Sequence, residues 1–234
     1  MSFRISEQFQ ISVASILDFM YPPLCVCCGT LLARGSDHVC VDCWSSLTQV
    51  HRDHPLYQET RSKLLASGTV SDLVALFVFE KEGAFQSIAH ALKYSGVQAL
   101  GIELGRRLAE AVTEQDISSD VIVPVPLHKR KTRERGYNQS ELIARGLSAG
   151  TGVPVRSNVL RRTRYTETQT ALSLQERKEN MDNAFACTSE AIADSSIILI
   201  DDVITTGATI EACASALMAS GARRIIAASA ALAQ

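Results

Sequence analysis

Two adjacent carboxylates, Asp201 and Asp202, stand at the end of an apolar run in the stretch "ILIDDVITTGAT", residues 198–209. Like charges side by side repel unless hydroxyls, a cation or solvent take them up. After them come Thr205, Thr206, Gly207, Ala208 and Thr209, hydroxyl donors around a glycine. A strand that gives out into such a loop and then into a helix makes an anion site. Backbone N–H groups point inward, the helix adds its positive end, and the glycine permits close approach. The loop suits a phosphate monoester, and the acids suit the hydroxyls of a diol. Together these describe a ribose 5-phosphate unit.

A second constellation lies near the N-terminus. "CVCCGTLLARGSDHVCVDC" holds Cys25-x-x-Cys28 and Cys40-x-x-Cys43. Two such pairs can place four thiolates around Zn²⁺ and leave no open coordination position, which predicts a structural ion. Cys27 could compete with Cys28, and His38, His51 and His54 are alternative ligands. Cys187 and Cys213 read as small apolar filler.

A third feature is charge. Between Lys129 and Arg164 lie ten of the 23 Lys and Arg residues but two acids, Glu134 and Glu141. Such a tract is either a solvated face or the contact for an anionic ligand.

The elements that must carry these residues follow from periodicity. "LVALFVFE" from Leu73 predicts a strand, "AFQSIAHALKY" a helix, and Leu100, Leu104, Leu108 and Ala111 mark one face of another helix. "DVIVPVPL" (120–127) predicts a strand that ends in a proline-bracketed loop, and "SELIARGLS" a helix. Residues 156–183 read as a long polar loop, of the kind that is usually functional. "SIILIDDV" predicts a buried strand, Thr209 to Ser220 a helix stopped by Gly221, and "RRIIAASAAL" a last strand. This alternation predicts an α/β fold, a parallel sheet flanked by helices on both faces. Ahead of it, Phe9, Val13, Ile16, Leu17 and Met20 mark a helix that Pro22-Pro23 stops. The expected organisation is an N-terminal helix and zinc module over 1–50, a connection with some helix over 51–72, and the α/β domain over 73–234.

The totals exclude some classes. The chain has 234 residues, is 46% hydrophobic and carries a formal charge of −2, so bulk attraction to nucleic acid or membrane is not expected. No run of 18 apolar residues is present, and Glu7 and Asp18 interrupt the N-terminus as a signal peptide. A cytoplasmic protein with reduced or metal-bound cysteines is expected.

"ILIDDVITTGAT" resembles the signature of type I phosphoribosyltransferases, which bind 5-phosphoribosyl 1-pyrophosphate (PRPP). "VPVPLHKRKTRERGYNQSELIARGL", "LRRTRYTETQTALSLQERKENMDNAFA" and "PPLCVCCG…CVDC" narrow the resemblance to the ComF family, over nearly the whole chain. The resemblance implies a type I phosphoribosyltransferase fold behind a four-cysteine zinc module. It implies that Asp201 and Asp202 hold the ribose hydroxyls at the catalytic centre, and that Thr205 to Thr209 hold the 5′-phosphate. Arg133 and Arg135 become candidates for the pyrophosphate, with Mg²⁺ bound alongside PRPP. Arg161, Arg162 and Arg164, with Gln169 and Arg177, fall where such folds carry a closing loop. Competence members of the family are linked to uptake of transforming DNA. The transferase reading therefore stands beside a non-catalytic PRPP or nucleotide sensor, or an adaptor that handles single-stranded DNA with DNA-uptake proteins. Trp44 is the sole tryptophan, and Tyr137 and Tyr165 are the candidate stacking rings in the basic tract. The acceptor substrate is not legible in the sequence.

Overall fold

The computed structural model describes residues 22–32, 38–163, 184–188 and 192–234. The expected N-terminal helix before Pro22, and Arg164, Tyr165, Gln169 and Arg177, lie outside them. The chain divides into two compact units, Met1–Ser46 and Leu47–Gln234.

In the first unit, Cys25 and Cys28 flank a tight turn. Gly29 closes it at φ 70, its N–H donating to the Cys25 carbonyl at 2.9 Å. Leu24 and Leu31 bridge across that turn as a short antiparallel pair. Cys40 caps the short helix α1 (Val41–Ser45), which carries Cys43 in its first turn.

The second unit is built on a four-stranded sheet. Its strands are β1 (Asp72–Phe79), β2 (Val121–Pro124), β5 (Ser196–Ile204) and β6 (Arg224–Ala233), in the order β1-β6-β5-β2. Every pairing among the four is parallel. Residues 197–200 of β5 and 225–233 of β6 are buried on both faces, which is why they read as apolar runs of Ile, Leu and Ala, with Ser229 the one polar residue among them. One face packs against α2 (Pro55–Ala66) and α7 (Ala208–Ala219), with Leu56, Leu64, Ile197, Leu199, Ile210 and Leu217 in one core cluster. The other face is covered by α3 (Ala84–Tyr94), α4 (Ala99–Glu114) and α6 (Gln139–Thr151).

The α4–α6 contact is a small-residue crossing. A Cβ added to Gly105 would lie 2.1 Å from the Ile143 carbonyl oxygen, and one added to Gly146 would lie 2.2 Å from that of Ile102. Neither backbone can retreat without moving its helix. This contact fixes the N-terminus of α6, and with it Ser140, against the sheet.

Two expectations need correction. The loop after β2 is confined to residues 125–128, and Lys129–Arg135 then coil into α5. His128 Nδ1 accepts the N–H of Arg130 as N-cap, Arg130 pairs with Glu134 at 3.1 Å one turn on, and Gly136 ends the helix at φ 81. The described start of the expected long loop contains β3 (Leu160–Arg162), paired antiparallel with β4 (Phe185–Cys187), and Leu160 and Phe185 join the core. The stretch expected as a connection carries the buried Tyr57, whose hydroxyl donates to the Leu73 carbonyl at 2.5 Å. Cys213 is fully buried in the core, the filler role read from the sequence. No helix of the described residues is long and apolar enough to cross a membrane.

Candidate functional site

The C-terminal end of β5 gathers side chains from two other elements, α6 and α3. Asp201 Oδ1 accepts a hydrogen bond from Ser140 Oγ at 3.1 Å and from the Asp202 N–H at 2.9 Å. Asp202 Oδ2 lies 2.5 Å from Lys93 Nζ, at the last turn of α3, and both side chains are mostly buried. Burial, and then the neighbouring charge of Asp202, push the Asp201 carboxyl up to about 7, against the opposing pull of its two hydrogen bonds and of Lys93.

The path to Ser140 is a chain of capping contacts. Asn138 caps α6, its Oδ1 accepting the Ser140 N–H at 3.1 Å, while its Nδ2 donates to the Val125 carbonyl at 2.9 Å. The Val125 N–H donates in turn to the Ile200 carbonyl at 2.8 Å, beside Asp201. Tyr137 anchors the same segment by donating to the Leu92 carbonyl at 2.5 Å.

Beyond the acids, Thr205 and Thr206 are exposed and Gly207 is buried at φ 83 as the residue before α7. A Cβ there would meet Leu64 Cδ2 at 2.9 Å, so conformation and space both require glycine. The first-turn N–H groups of α7 have no acceptor one turn back. The Ala208 N–H donates to Thr206 Oγ1 at 3.5 Å, and the other first-turn N–H groups, with the Thr206 and Thr209 hydroxyls, offer donors at a positive helix end.

A cleft of about 350 Å³ opens beside Lys93. It is lined by Lys93, Tyr94, Lys131, Glu134, Arg135 and Tyr137. Arg135 lies over the exposed Tyr94 ring, 5.2 Å from its centroid, and donates to Gln139 Oε1 at 3.0 Å. Arg133 is exposed on α5 and does not line the cleft. Arg161 is exposed on β3, and Arg162 lies 5.4 Å from the Phe185 ring centroid. The structure thus brings Asp201, Asp202 and the 205–209 loop together, with Arg135 in the adjoining cleft. Sequence reasoning missed Lys93 and Ser140. The "YNQS" stretch was in view, but nothing in it signalled that its serine bonds to Asp201.

The four paired cysteines converge independently. Their sulfurs all lie within 4.8 Å of one another, and Cys28 Sγ and Cys40 Sγ are 3.8 Å apart. A tetrahedron with Zn–S bonds of about 2.3 Å has edges of about 3.8 Å. The N–H of Cys40 donates to Cys25 Sγ at 3.3 Å, a bond that favours its thiolate form. This donor set fits a structural zinc ion. Cys27 and His38 stand outside the cluster, and His54 caps α2. Cys28→Ser is expected to lower zinc content in elemental analysis and Cys27→Ser to leave it at one ion per chain. Unchanged zinc in Cys28→Ser would exclude this ligand set.

The sequence was compared with known families and proteins. The family described as phosphoribosyl transferase domain matches residues 97–233, and that described as double zinc ribbon domain matches residues 16–55. Competence protein F of Haemophilus influenzae is 39% identical over 39% of this chain and 41% of its own length. DNA utilization protein YhgH of Escherichia coli K12 is 34% identical over 59% of this chain and 63% of its own. Competence protein ComFC of Bacillus subtilis is 26% identical over 85% of this chain and 72% of its own. The matches to the first two span less than two thirds of those relatives' lengths.

Proposed function

Because the chain belongs to the phosphoribosyl transferase domain family and, with its zinc ribbon, to the ComF family, we propose that it binds PRPP at the end of β5. The observation that carries this reading is the meeting of Asp201 and Asp202 with a donor-rich loop at the start of α7. The acids accept the ribose hydroxyls. The 205–209 loop takes the 5′-phosphate through backbone N–H groups and threonine hydroxyls. The cleft that holds Lys131 and Arg135 takes the diphosphate, and Arg161, Arg162 and Arg164 lie on the segment read as closing over it.

In the transferase reaction a nucleophile forms a bond to ribose C1 and gives up its proton. The C1–O bond breaks, and its electron pair leaves on pyrophosphate. The barrier falls chiefly through stabilisation of charge on that leaving group. Mg²⁺, when bound, supplies part of that neutralisation. Asp201 and Asp202 are both already partnered, and Glu134 in the cleft pairs with Arg130. The diphosphate, rather than these carboxylates, would hold the ion. Calorimetric titration with PRPP and Mg²⁺ tests the binding, and absence of heat would reject it.

Arg135→Ala is expected to weaken PRPP more than ribose 5-phosphate, because only PRPP carries the diphosphate. Arg133→Ala should give the smaller difference, since Arg133 does not line the cleft. Equal losses of both ligands in Arg135→Ala would place the diphosphate elsewhere.

A second reading is a non-catalytic PRPP or nucleotide sensor, or a single-stranded-DNA-processing adaptor, and the relatives' names, which speak of competence and DNA utilization, support its DNA side. Screening acceptors for pyrophosphate release separates the two. Binding of PRPP without release from any acceptor class supports the sensor.

A further inference from the structure

Two adjacent carboxylates at the mouth of a phosphate-binding loop are an obvious place for a divalent cation, yet here a protein cation stands at one of them. Lys93 Nζ is 2.5 Å from Asp202 Oδ2. The side chains retain 25% and 19% of their exposure, so solvent screens the pair only partly. Asp201 is held separately, its Oδ1 accepting from Ser140 Oγ and from the Asp202 N–H. A hard divalent ion needs carboxylate oxygens at about 2.0–2.1 Å and dehydrates reluctantly. It cannot share Oδ2 with an ammonium group already in contact, and the ammonium charge repels it.

We infer that Lys93 takes the place of a divalent cation at the acidic pair: it is a positioning residue that pairs with Asp202 and holds its orientation, and so frees the ribose contact from any need for metal. Any metal requirement then belongs to the diphosphate alone. The consequence for ribose binding rests on the PRPP reading, but the occupancy of the pair by Lys93 does not.

The test uses the full, zinc-loaded chain, with Mn²⁺ alone as probe and the electron paramagnetic resonance signal of free Mn²⁺ as readout. Lys93→Met should bind one more Mn²⁺ than the parent, or bind it about tenfold tighter or more. Lys93→Gln should do the same, and covers the case in which the methionine variant folds poorly. Lys93→Arg keeps the cation and should match the parent, and Lys93→Met combined with Asp202→Asn should lose the gain. Equal Mn²⁺ binding by the parent, Lys93→Met and Lys93→Gln overturns the inference.

A second arm titrates ribose 5-phosphate, which lacks the diphosphate, with and without Mg²⁺. The parent should bind equally in both conditions, and Lys93→Met should bind better with the metal. A parent that gains from Mg²⁺ as the variant does counts against the inference. A parent that never binds ribose 5-phosphate refutes the ribose reading instead, and the Mn²⁺ titration still decides the role of Lys93.

Discussion

Asp201→Asn and Asp202→Asn are each expected to lose PRPP affinity by roughly 10- to 150-fold. That range is the loss of one charge-assisted hydrogen bond, about 1.5–3 kcal/mol. The two should differ in their ligand-free melts. Asp202→Asn removes the partner of Lys93 and leaves a mostly buried ammonium group without its counter-charge. It should therefore melt at or below the parent temperature. Asp201→Asn keeps an oxygen to accept from Ser140 and from the Asp202 N–H, and it removes a carboxylate that the fold disfavours. The sign follows from the Asp201 carboxyl being pushed up to about 7 from 3.8. The folded state holds this proton more tightly than the unfolded state, so the parent loses stability as pH rises from about 4 to about 7. Asp201→Asn does not lose it. Its advantage in melting temperature should grow across that window and level off above it. Calorimetric titration with PRPP and Mg²⁺, paired with melts at several pH values, measures both effects. Parent-like PRPP binding by both variants would remove the ribose clamp. A melting difference that does not change with pH would remove the assignment of the proton to Asp201.

The second large effect lies away from the ligand. Gly146→Ala should destabilise the protein by about 3 kcal/mol, the upper end of ordinary overpacking, although alanine is the better helix former by about 1 kcal/mol. The new Cβ would sit 2.2 Å from the Ile102 carbonyl oxygen, far inside contact distance. Backbone cannot swing aside as a side chain can, so α4 and α6 must separate. For a chain of this size the drop in melting temperature should be roughly 6–12 °C. Because α6 carries Ser140, the surviving folded protein should also bind PRPP more weakly. Gly152→Ala supplies a contrast, since a Cβ there meets nothing within 4 Å and its φ of 75 is the sole objection. A Gly146→Ala variant as stable as the parent would mean that the crossing is looser than described.

What the sequence made legible follows from how local each signal is. The acids, the loop and the helix of "ILIDDVITTGAT" are contiguous, so their joint chemistry could be read directly. The runs in β1, β5 and β6 are apolar enough to read as buried strands, and the parallel sheet expected from their alternation with helices is the sheet observed. Helix α5 escaped because "HKRKTRERG" is polar all round and has no apolar stripe to report its period. Strands β3 and β4 escaped because three residues are too few to display alternation. Lys93 could not be matched to Asp202, because α3 and β5 meet only after the sheet has formed. Gly101, Gly105, Gly146 and Gly150 were visible at helical spacing, but glycine inside a helix reads as a weakness until the partner helix is known.

The pairing of β1 with β6 bears on how the chain can be divided. The transferase family match begins at residue 97, after β1. In the intact protein β1 covers one side of β6 from Asp72 against Ile226 to Phe79 against Ala233. A shortened chain that starts at Val97 would turn β6 from an interior strand into an open edge. That edge would present unpaired N–H and C=O groups along "IIAASAALA", a segment with no charge and no proline to discourage another copy from adding to it. It would also lose Leu64, the side chain that backs Gly207. Expression of the span recognised by family resemblance alone should therefore yield aggregates through strand addition.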